Sequence, residues 1–401
     1  MTETTAAPEH DAVLWGATGY VGQILAGHLA AQHAAGTSAG RWALAGRDRD
    51  RLARVRDDAG LPADTPLLVA DADDPRSVEA LVRGTRLVLS VVGPYGRHGS
   101  ALVAACAAHG VDYVDLSGEP RWARRMIAEH DATARSTGAR LVLSAGFDSV
   151  PFELAAQVLQ REAHARWGSP LPALSCRVLV EGDAGFSGGT LASLAAEVEA
   201  ARADGDARGL VLPSGYAGTQ GPLSAEPAHD DALGMWVAPW VLAPINVWNL
   251  HWSNALRGQA WGDLTYDEMM LAGPGPVGEA TATAIAGMMA GLVDAPPRLP
   301  GEGPDAAARD AGAYTVLLTG SAPDGRRLTS VVTAQGDPGY GSTSRIVLEV
   351  ARGLLVGAAE PGAGGGFWTP GALLGEWLED RLAAHAGLTF TTQGAADRHV
   401  V

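Results

Sequence analysis

One short segment restricts the possible folds more than any other. Val13-Leu14-Trp15 is an apolar run; Gly16, Gly19 and Gly22 follow at three-residue intervals, and an apolar helical pattern begins at Tyr20. Glycines at that spacing have separate physical roles. The first permits a tight turn, the second lets backbone N–H groups approach a diphosphate, and the third lets helix pack on strand. Gly16, Ala17, Thr18, Gly19, Tyr20, Val21 and Gly22 are therefore expected to form a phosphate-binding turn at the start of a parallel sheet. A tight turn that holds no ligand is the plainer alternative.

The same rhythm continues to residue 150. Apolar runs at 12–16, 42–46, 67–70, 86–92, 111–116 and 140–145 alternate with helical patterns at 20–34, 49–58, 75–83, 100–109 and 121–137. Strands separated by helices need crossover connections, which produce a parallel sheet covered on both faces. Six strands in that order predict an α/β, doubly wound Rossmann domain over residues 1–150. After Pro151 the pattern changes. A helix at 152–166, a strand at 174–181 and a helix at 191–203 precede an aromatic, Pro-interrupted stretch at 235–261. Residues 294–312, rich in Pro, Gly and Asp, read as an exposed loop. Two β-like runs at 313–321 and 326–334 form an expected hairpin, and helices at 343–356 and 370–386 follow. Residues 151–369 are thus expected to be a second, α+β domain with a mixed or antiparallel sheet. An exposed edge of that sheet is suited to pairing two copies as a homodimer.

The second strand ends Ala45-Gly46-Arg47, where an NAD-dependent enzyme usually carries an acid for the ribose hydroxyls. Arg47 offers a planar, permanently charged fork suited to a 2′-phosphate, so NADPH is the expected cofactor, with Gly46 and Arg47 at its adenosine end. Asp48 is placed to cap the following helix. Asp71, after the third strand, fits an adenine contact or a turn equally well. The fourth strand ends Ser90-Val91-Val92-Gly93-Pro94-Tyr95, at the carboxyl edge where such sheets bind ligands. That places Ser90, Val91, Val92 and Gly93 along the cofactor and Tyr95 beside its nicotinamide.

Composition removes several mechanisms. The 401 residues contain 29 basic side chains, all of them arginine. The absence of lysine excludes Schiff-base chemistry, the P-loop lysine and the Tyr-x-x-x-Lys pair of short-chain dehydrogenases. A net charge of −16 argues against a nucleic-acid partner. Cys106 and Cys176 alone cannot build a disulfide framework or a thiolate zinc site, and His251 lacks a partner at ligand spacing, so no metal is expected. The first ten residues are polar and lack an apolar signal core, from which a cytoplasmic location is expected. Residues 277–293 are too short for a bilayer span and carry Glu279, which predicts a buried helix. Residues 233–256 are broken by Pro239 and Pro244, so no membrane partner is expected.

Several motifs occur together and in order: Gly16-x-Thr18-Gly19-Tyr20-Val21-Gly22, Ala45-Gly46-Arg47, Gly93-Pro94-Tyr95, the run 113–119 and Gly146-Phe147-Asp148-Ser149-Val150-Pro151. Gly188-Gly189-Thr190, the run 336–341 and the run 369–375 follow. This series resembles the saccharopine dehydrogenase-like oxidoreductases, in the branch of trans-acting enoyl reductases, over nearly the whole chain. The resemblance implies NADPH, a Rossmann domain completed by a returning C-terminal helix at about 370–390, and reduction of a C=C bond in polyketide or lipid biosynthesis. It also implies that Gly146 and Phe147 line the cofactor and that Asp148 and Ser149 face the interdomain cleft. Two departures stand out. Lysine-forming saccharopine dehydrogenases use a catalytic lysine, which this chain lacks, and residues 245–256 carry indoles where relatives are richer in arginine.

Hydride addition to an activated alkene builds negative charge on the carbonyl oxygen and then requires a proton at the α-carbon. The Tyr95 hydroxyl is the expected donor, with the Ser117 and Ser149 hydroxyls and the N–H groups around Gly146 as further candidates. Asp148 is expected to fix its loop, because an ordinary ionised aspartate is a poor acid near neutrality. Trp236, Trp240, Asn246, Trp248, His251 and Trp252 are expected to line the substrate pocket. Five tryptophans across 235–261, with no arginine before Arg257, suit a rigid apolar skeleton bearing one carbonyl better than a dicarboxylate. The pairs 236/240 and 248/252, at helical spacing, fit a core as well.

The expected activity is NADPH-dependent reduction of an activated C=C bond in a small apolar unsaturated carbonyl compound, free or tethered to a carrier protein. Reduction of C=N or C=O in a secondary metabolite, and saccharopine-type amino-acid chemistry, are its alternatives. Two other classes also match parts of the sequence. Gly185-Phe186-Ser187-Gly188-Gly189 follows the nucleophile-elbow pattern of serine hydrolases, and a Rossmann domain without turnover would make a cofactor-binding protein. Arg121, Arg124 and Arg125 share a helical face that fits either an acidic carrier or plain solvation.

Overall fold

The computed structural model describes residues 10–182, 188–203, 224, 226–291 and 303–394. Strands and helices alternate through the first part as β1 (Ala12–Trp15), α1 (Tyr20–Ala34), β2 (Trp42–Gly46), α2 (Arg49–Ala59), β3 (Leu67–Val69) and α3 (Pro75–Arg83). There follow β4 (Leu87–Ser90), α4 (Tyr95–His98), α5 (Ser100–His109), β5 (Asp112–Asp115), α6 (Pro120–Thr137) and β6 (Arg140–Val142). Local chemistry sets the helix starts. Asp48 Oδ1 accepts from the Asp50 and Arg51 amides at 2.9 and 3.0 Å, and Asp74 accepts from the Arg76 amide at 3.1 Å.

All the strands of this sheet run parallel, in the order β6-β5-β4-β1-β2-β3. The order reverses at β1, as in a doubly wound fold, and ligands bind beyond the carboxyl ends at that reversal. Alternate residues of β1 enter different cores, Leu14 on one face and Val13 and Trp15 on the other. Both faces are therefore covered, which explains why the strand reads as a continuous apolar run.

The second part comprises α7 (Val150–Trp167), β7 (Ala173–Glu181), α8 (Gly188–Ala203), β8 (Ala228–Asp230), β9 (Met235–Pro239), α9 (Ala243–Leu256), β10 (Thr265–Gly273) and α10 (Gly275–Gly291). It continues with α11 (Ala306–Ala311), β11 (Ala313–Ser321), β12 (Arg327–Gln335), a π turn (Pro338–Ser342), α12 (Thr343–Val356), β13 (Gly366–Trp368), α13 (Pro370–His385) and β14 (Leu388–Gly394). The second sheet is mixed and seven-stranded, in the order β14-β12-β11-β7-β10-β9-β8, with β7 and β10 parallel and β11–β12 the expected hairpin. It is larger than the sequence suggested. β10 escaped notice because Glu268 occupies its inward face, where an apolar residue would complete the alternation.

Three expectations are corrected. Helix α10 is not buried: only Gly278 and Ala282 are enclosed, while Val277 is 78 % and Met288 57 % exposed. It packs on β9 and β10 through small residues, which leaves its larger side chains outside. The part of 294–312 that is described contains α11, capped by Asp305, whose carboxylate accepts from the Ala308 amide at 2.8 Å. The chain re-enters the first sheet through β13, which pairs with β6, and through α12, which packs on α1, β4 and β5. Helix α13 lies instead on α12 and α7, and the residues after it form β14 of the second sheet.

Glu153 of α7 holds this junction together. It is fully buried and accepts from Ser253 Oγ of α9 (2.7 Å), Thr369 Oγ1 (2.6 Å) and the amides of Gly371 (2.9 Å) and Ala372 (3.0 Å) at the start of α13. A carboxylate there satisfies the open N–H groups of a helix N-terminus. Among the described residues, no helix is long and apolar enough to cross a membrane.

Candidate active site

The glycine turn has the shape that a diphosphate requires. Gly16 takes φ +91°, a left-handed conformation that side chains rarely adopt, and a Cβ on Gly22 would lie 2.2 Å from the Gly16 carbonyl oxygen. A Cβ on Gly19, in contrast, would meet only that same oxygen, at 3.3 Å, so the space above it is open. The amides of Ala17 and Gly19 donate to the Ala45 and Gly16 carbonyls, and Gly19 caps α1 with no side-chain hydrogen bond, which leaves the first-turn amides of Tyr20, Val21 and Gly22 to a ligand. These residues fit a dinucleotide. Thr18, Tyr20 and Val21 belong to the same turn, and Val91 and Val92 press against Gly16 from the end of β4.

At the adenosine end, Arg47 is exposed next to Gly46 and holds no ion pair among the described residues, while Asp48 is occupied in capping. A free guanidinium beside a capping aspartate suits a 2′-phosphate. Asp71 serves its turn: its Oδ1 accepts from the Asp73 amide at 3.1 Å.

The hydroxyls expected to act at the other end are already engaged. Tyr95 is buried, its ring packs on Trp122 with centroids 5.5 Å apart, and its hydroxyl donates to the Ser90 carbonyl and accepts from the Leu116 amide, both at 3.2 Å. Its ionisation is pushed well up by burial and by Asp115. Tyr95 therefore ties β4 to β5 and is not a free proton donor. Ser149 is fully buried and donates to the Ser144 carbonyl, and Ser117 Oγ accepts from the Glu119 amide at 3.3 Å. The Phe147 amide donates to Thr343 Oγ1 at 3.0 Å, and its ring stands 4.6 Å from that of Tyr314 in the second sheet. Gly146 is enclosed by Leu116 and Thr343.

What these contacts build is a rigid mount for the 144–149 loop. Asp115, fully buried, accepts from the amides of Ser117 (3.0 Å) and Ser144 (2.9 Å) and from the Tyr113 hydroxyl (2.9 Å). Burial pushes its carboxyl up to about 7 against those bonds. Ser144 adopts φ +57°, a strained conformation for a residue with a side chain, and its hydroxyl donates to the Ser117 carbonyl at 2.5 Å. Glu119 accepts from the amides of Tyr95 and Gly96, each at 2.8 Å.

On this mount stands Asp148, partly exposed, with no hydrogen-bond donor facing it among the described residues. Desolvation pushes its carboxyl up to about 6. It follows β6 as Tyr95 follows β4, so the two stand at the same carboxyl edge of the first sheet. The Asp148 carboxyl thus lies above the ordinary aspartate range assumed for it from the sequence.

The aromatic stretch is mostly core. Helix α9 is enclosed by α6, α7, α13 and β10, which explains why it is apolar on every side. Asn246 donates to Glu268 Oε1 at 2.9 Å, Trp248 is buried, and His251 is fully buried and pushed down to about 4, so it is neutral at pH 7. These three are interior groups and not a pocket wall. Trp236 makes its ring contact with His229 on the edge strand β8. Trp240 and Trp252 keep partial exposure, and Trp252 stacks on Trp248 with planes 5° apart and centroids at 6.0 Å. Of the arginines on α6, Arg121 pairs with Glu197 of α8 at 2.5 Å. Ser187, the serine of the hydrolase pattern, lies outside the described residues.

The saccharopine dehydrogenase NADP binding domain matches residues 12–142, the span of β1 to β6. Over 419 residues the chain is 36 % identical to a Mycobacterium tuberculosis protein assigned to the trans-acting enoyl reductases, covering 97 % of this chain and 99 % of that one. The chain belongs to the saccharopine dehydrogenase-like oxidoreductases, in the trans-acting enoyl reductase branch. A trans-acting enoyl reductase of Mycobacterium bovis BCG is 33 % identical over 418 residues, with the same coverage. The yeast saccharopine dehydrogenase that forms L-glutamate superposes with a TM-score of 0.55 over 95 % of this chain and 100 % of its own, at 14 % identity, and so shares the fold. As a member of this oxidoreductase family, the chain is an NAD(P)H-dependent enzyme.

Sequence reasoning assigned no role to Asp115, Glu119, Ser144, Glu153 or Glu268. The available signal was an acid or a hydroxyl inside an otherwise apolar run, as in the Tyr113–Glu119 motif, where Asp115 interrupts a buried strand end.

Proposed function

We propose that this enzyme uses NADPH to reduce a C=C bond conjugated to a carbonyl in a polyketide- or lipid-like intermediate, presented on a separate carrier or free. The observation that carries the reading is topological: Asp148 follows β6 and the glycine turn follows β1, so both stand at the carboxyl ends of one parallel sheet, and burial raises the Asp148 carboxyl to about 6. NADPH, when bound, supplies the hydride. The carbanion left beside the substrate carbonyl then needs a proton at its α-carbon, and Asp148 in its protonated form is the candidate source. With its carboxyl near 6, roughly a tenth of Asp148 holds that proton at pH 7, far more than a solvated aspartate would. The 144–149 loop, fixed through Asp115 and Ser144, holds the carboxyl in one place. Trp252, backed by Trp248, offers a flat apolar surface beside α6 for a conjugated skeleton.

The relatives are named trans-acting, which supports a substrate delivered by another protein. A dicarboxylate is disfavoured because the stretch before Arg257 supplies no cation to compensate its desolvation. The test follows NADPH consumption with enones, enoyl thioesters, cyclic imines and saccharopine-type amino acids side by side. Turnover of the enoyl thioesters and enones is expected. Preferential turnover of the amino acids or the imines would reject the reading.

A further inference from the structure

We infer that Arg309, which the second half of the chain delivers on α11, binds the diphosphate of the dinucleotide held on the glycine turn of the first sheet. The inference rests on that turn holding NADP(H). Arg309 Nη1 donates to the Tyr20 hydroxyl at 2.9 Å and to the Pro304 carbonyl at 2.8 Å, and its guanidinium carbon lies 5.8 Å from the centre of the Tyr20 ring. Tyr20 is the first residue of α1 and follows Gly19 directly, so the guanidinium stands at the helix N-terminus that the glycine cradle opens to a ligand. A residue 289 positions away in sequence has been brought to this one turn.

The charge of Arg309 is not spent elsewhere. Among the described residues its partners are the Tyr20 hydroxyl and the Pro304 carbonyl, and no carboxylate stands at ion-pair distance. Asp337, which feels its field, is engaged by the amides of Tyr340 (2.7 Å) and Gly341 (3.0 Å), and Asp305 caps α11. A guanidinium presents five N–H donors; here the two bonds both leave from Nη1, so among the described residues the Nε and Nη2 edge is open to a bidentate oxyanion. A half-buried cation without a counter-ion is costly unless an anion arrives. The position is fixed on both sides. The Arg309 carbonyl accepts from the Asp337 amide at 2.6 Å, and Tyr340 meets Tyr20 edge to face at 5.0 Å. Cofactor binding would therefore pull the second sheet onto the first.

The test measures binding of NADPH, NADH and ADP by calorimetry to the wild type, Arg309→Ala, Arg309→Gln and Arg47→Ala. All three ligands carry the diphosphate. Arg309→Ala and Arg309→Gln should each weaken all three by ~10-fold, the loss of one charge-assisted contact, and leave the NADPH to NADH ratio unchanged. Arg47→Ala should lower that ratio. Arg309→Gln removes the charge but keeps the Cβ–Cδ part of the stem, so it answers the question if Arg309→Ala unfolds. Unchanged affinities, or a loss confined to NADPH, would overturn the role of Arg309. Failure of the wild type to bind any of the three would instead reject the glycine turn as the cofactor site.

Discussion

Asp148 differs from a solvated aspartate in what surrounds it: among the described residues no donor faces the carboxyl, and its neighbours withdraw much of it from water. Desolvation disfavours the charged form, so the acid persists toward neutral pH. A proton donor must be protonated to act, and turnover should therefore fall as pH rises through about 6. Asp148→Asn should remove that limb and depress turnover ~10²–10⁴-fold while NADPH affinity stays nearly constant. A pH–rate profile of the variant that still shows the limb, or turnover within a few-fold of wild type, rejects the assignment. Tyr95 shows the converse. Its hydroxyl has partners on both sides, so the residue type most often chosen as a donor is here part of the frame.

Between elements, the most consequential polar contact joins β10 to α9. Glu268 accepts from Asn246 at 2.9 Å and from the Tyr266 hydroxyl, and burial pushes it up to about 8. The folded state thus keeps a proton that the unfolded chain releases above its ordinary value of 4.5. The sign follows from linkage: this contribution to stability is full at low pH and is lost as pH rises toward about 8. Asp115 acts in the same direction near 7, whereas His251, pushed down to about 4, loses stability as pH falls below 6.5. Glu268→Gln imitates the protonated acid. It should raise the melting temperature at pH 8.5 and leave it almost unchanged at pH 5, which thermal melts at the two values would show; a fall at both would mean that the carboxylate is needed charged.

At the scale of the whole molecule, Glu153 joins three helices that are distant in sequence. Its carboxylate accepts from α9 and from the start of α13, so it fixes how the last third of the chain lies on α7. Glu153→Gln replaces an acceptor-only group with an amide that cannot satisfy every donor. It should cost roughly 1–3 kcal/mol, read as a lower midpoint in urea unfolding. An unchanged midpoint would show that the donors find other partners. The same scale explains β13. A strand placed after α12 completes the first sheet, so neither half of the chain has a core that its own continuous segment finishes.

The first sheet was legible in the sequence because its signals are local. A glycine turn, apolar runs buried on both faces and capping aspartates each declare themselves within a few residues. The glycine turn and Arg47 stood out as candidates for a cofactor for the same reason. The rest depended on contacts between distant segments. Whether a tyrosine or serine hydroxyl is free, whether an aspartate is desolvated, and whether an apolar helix such as α9 or α10 is enclosed or exposed are decided by which other elements pack around it. Residue type sets what a group can donate or accept, but burial and partners set its charge, and those exist only once the two sheets meet.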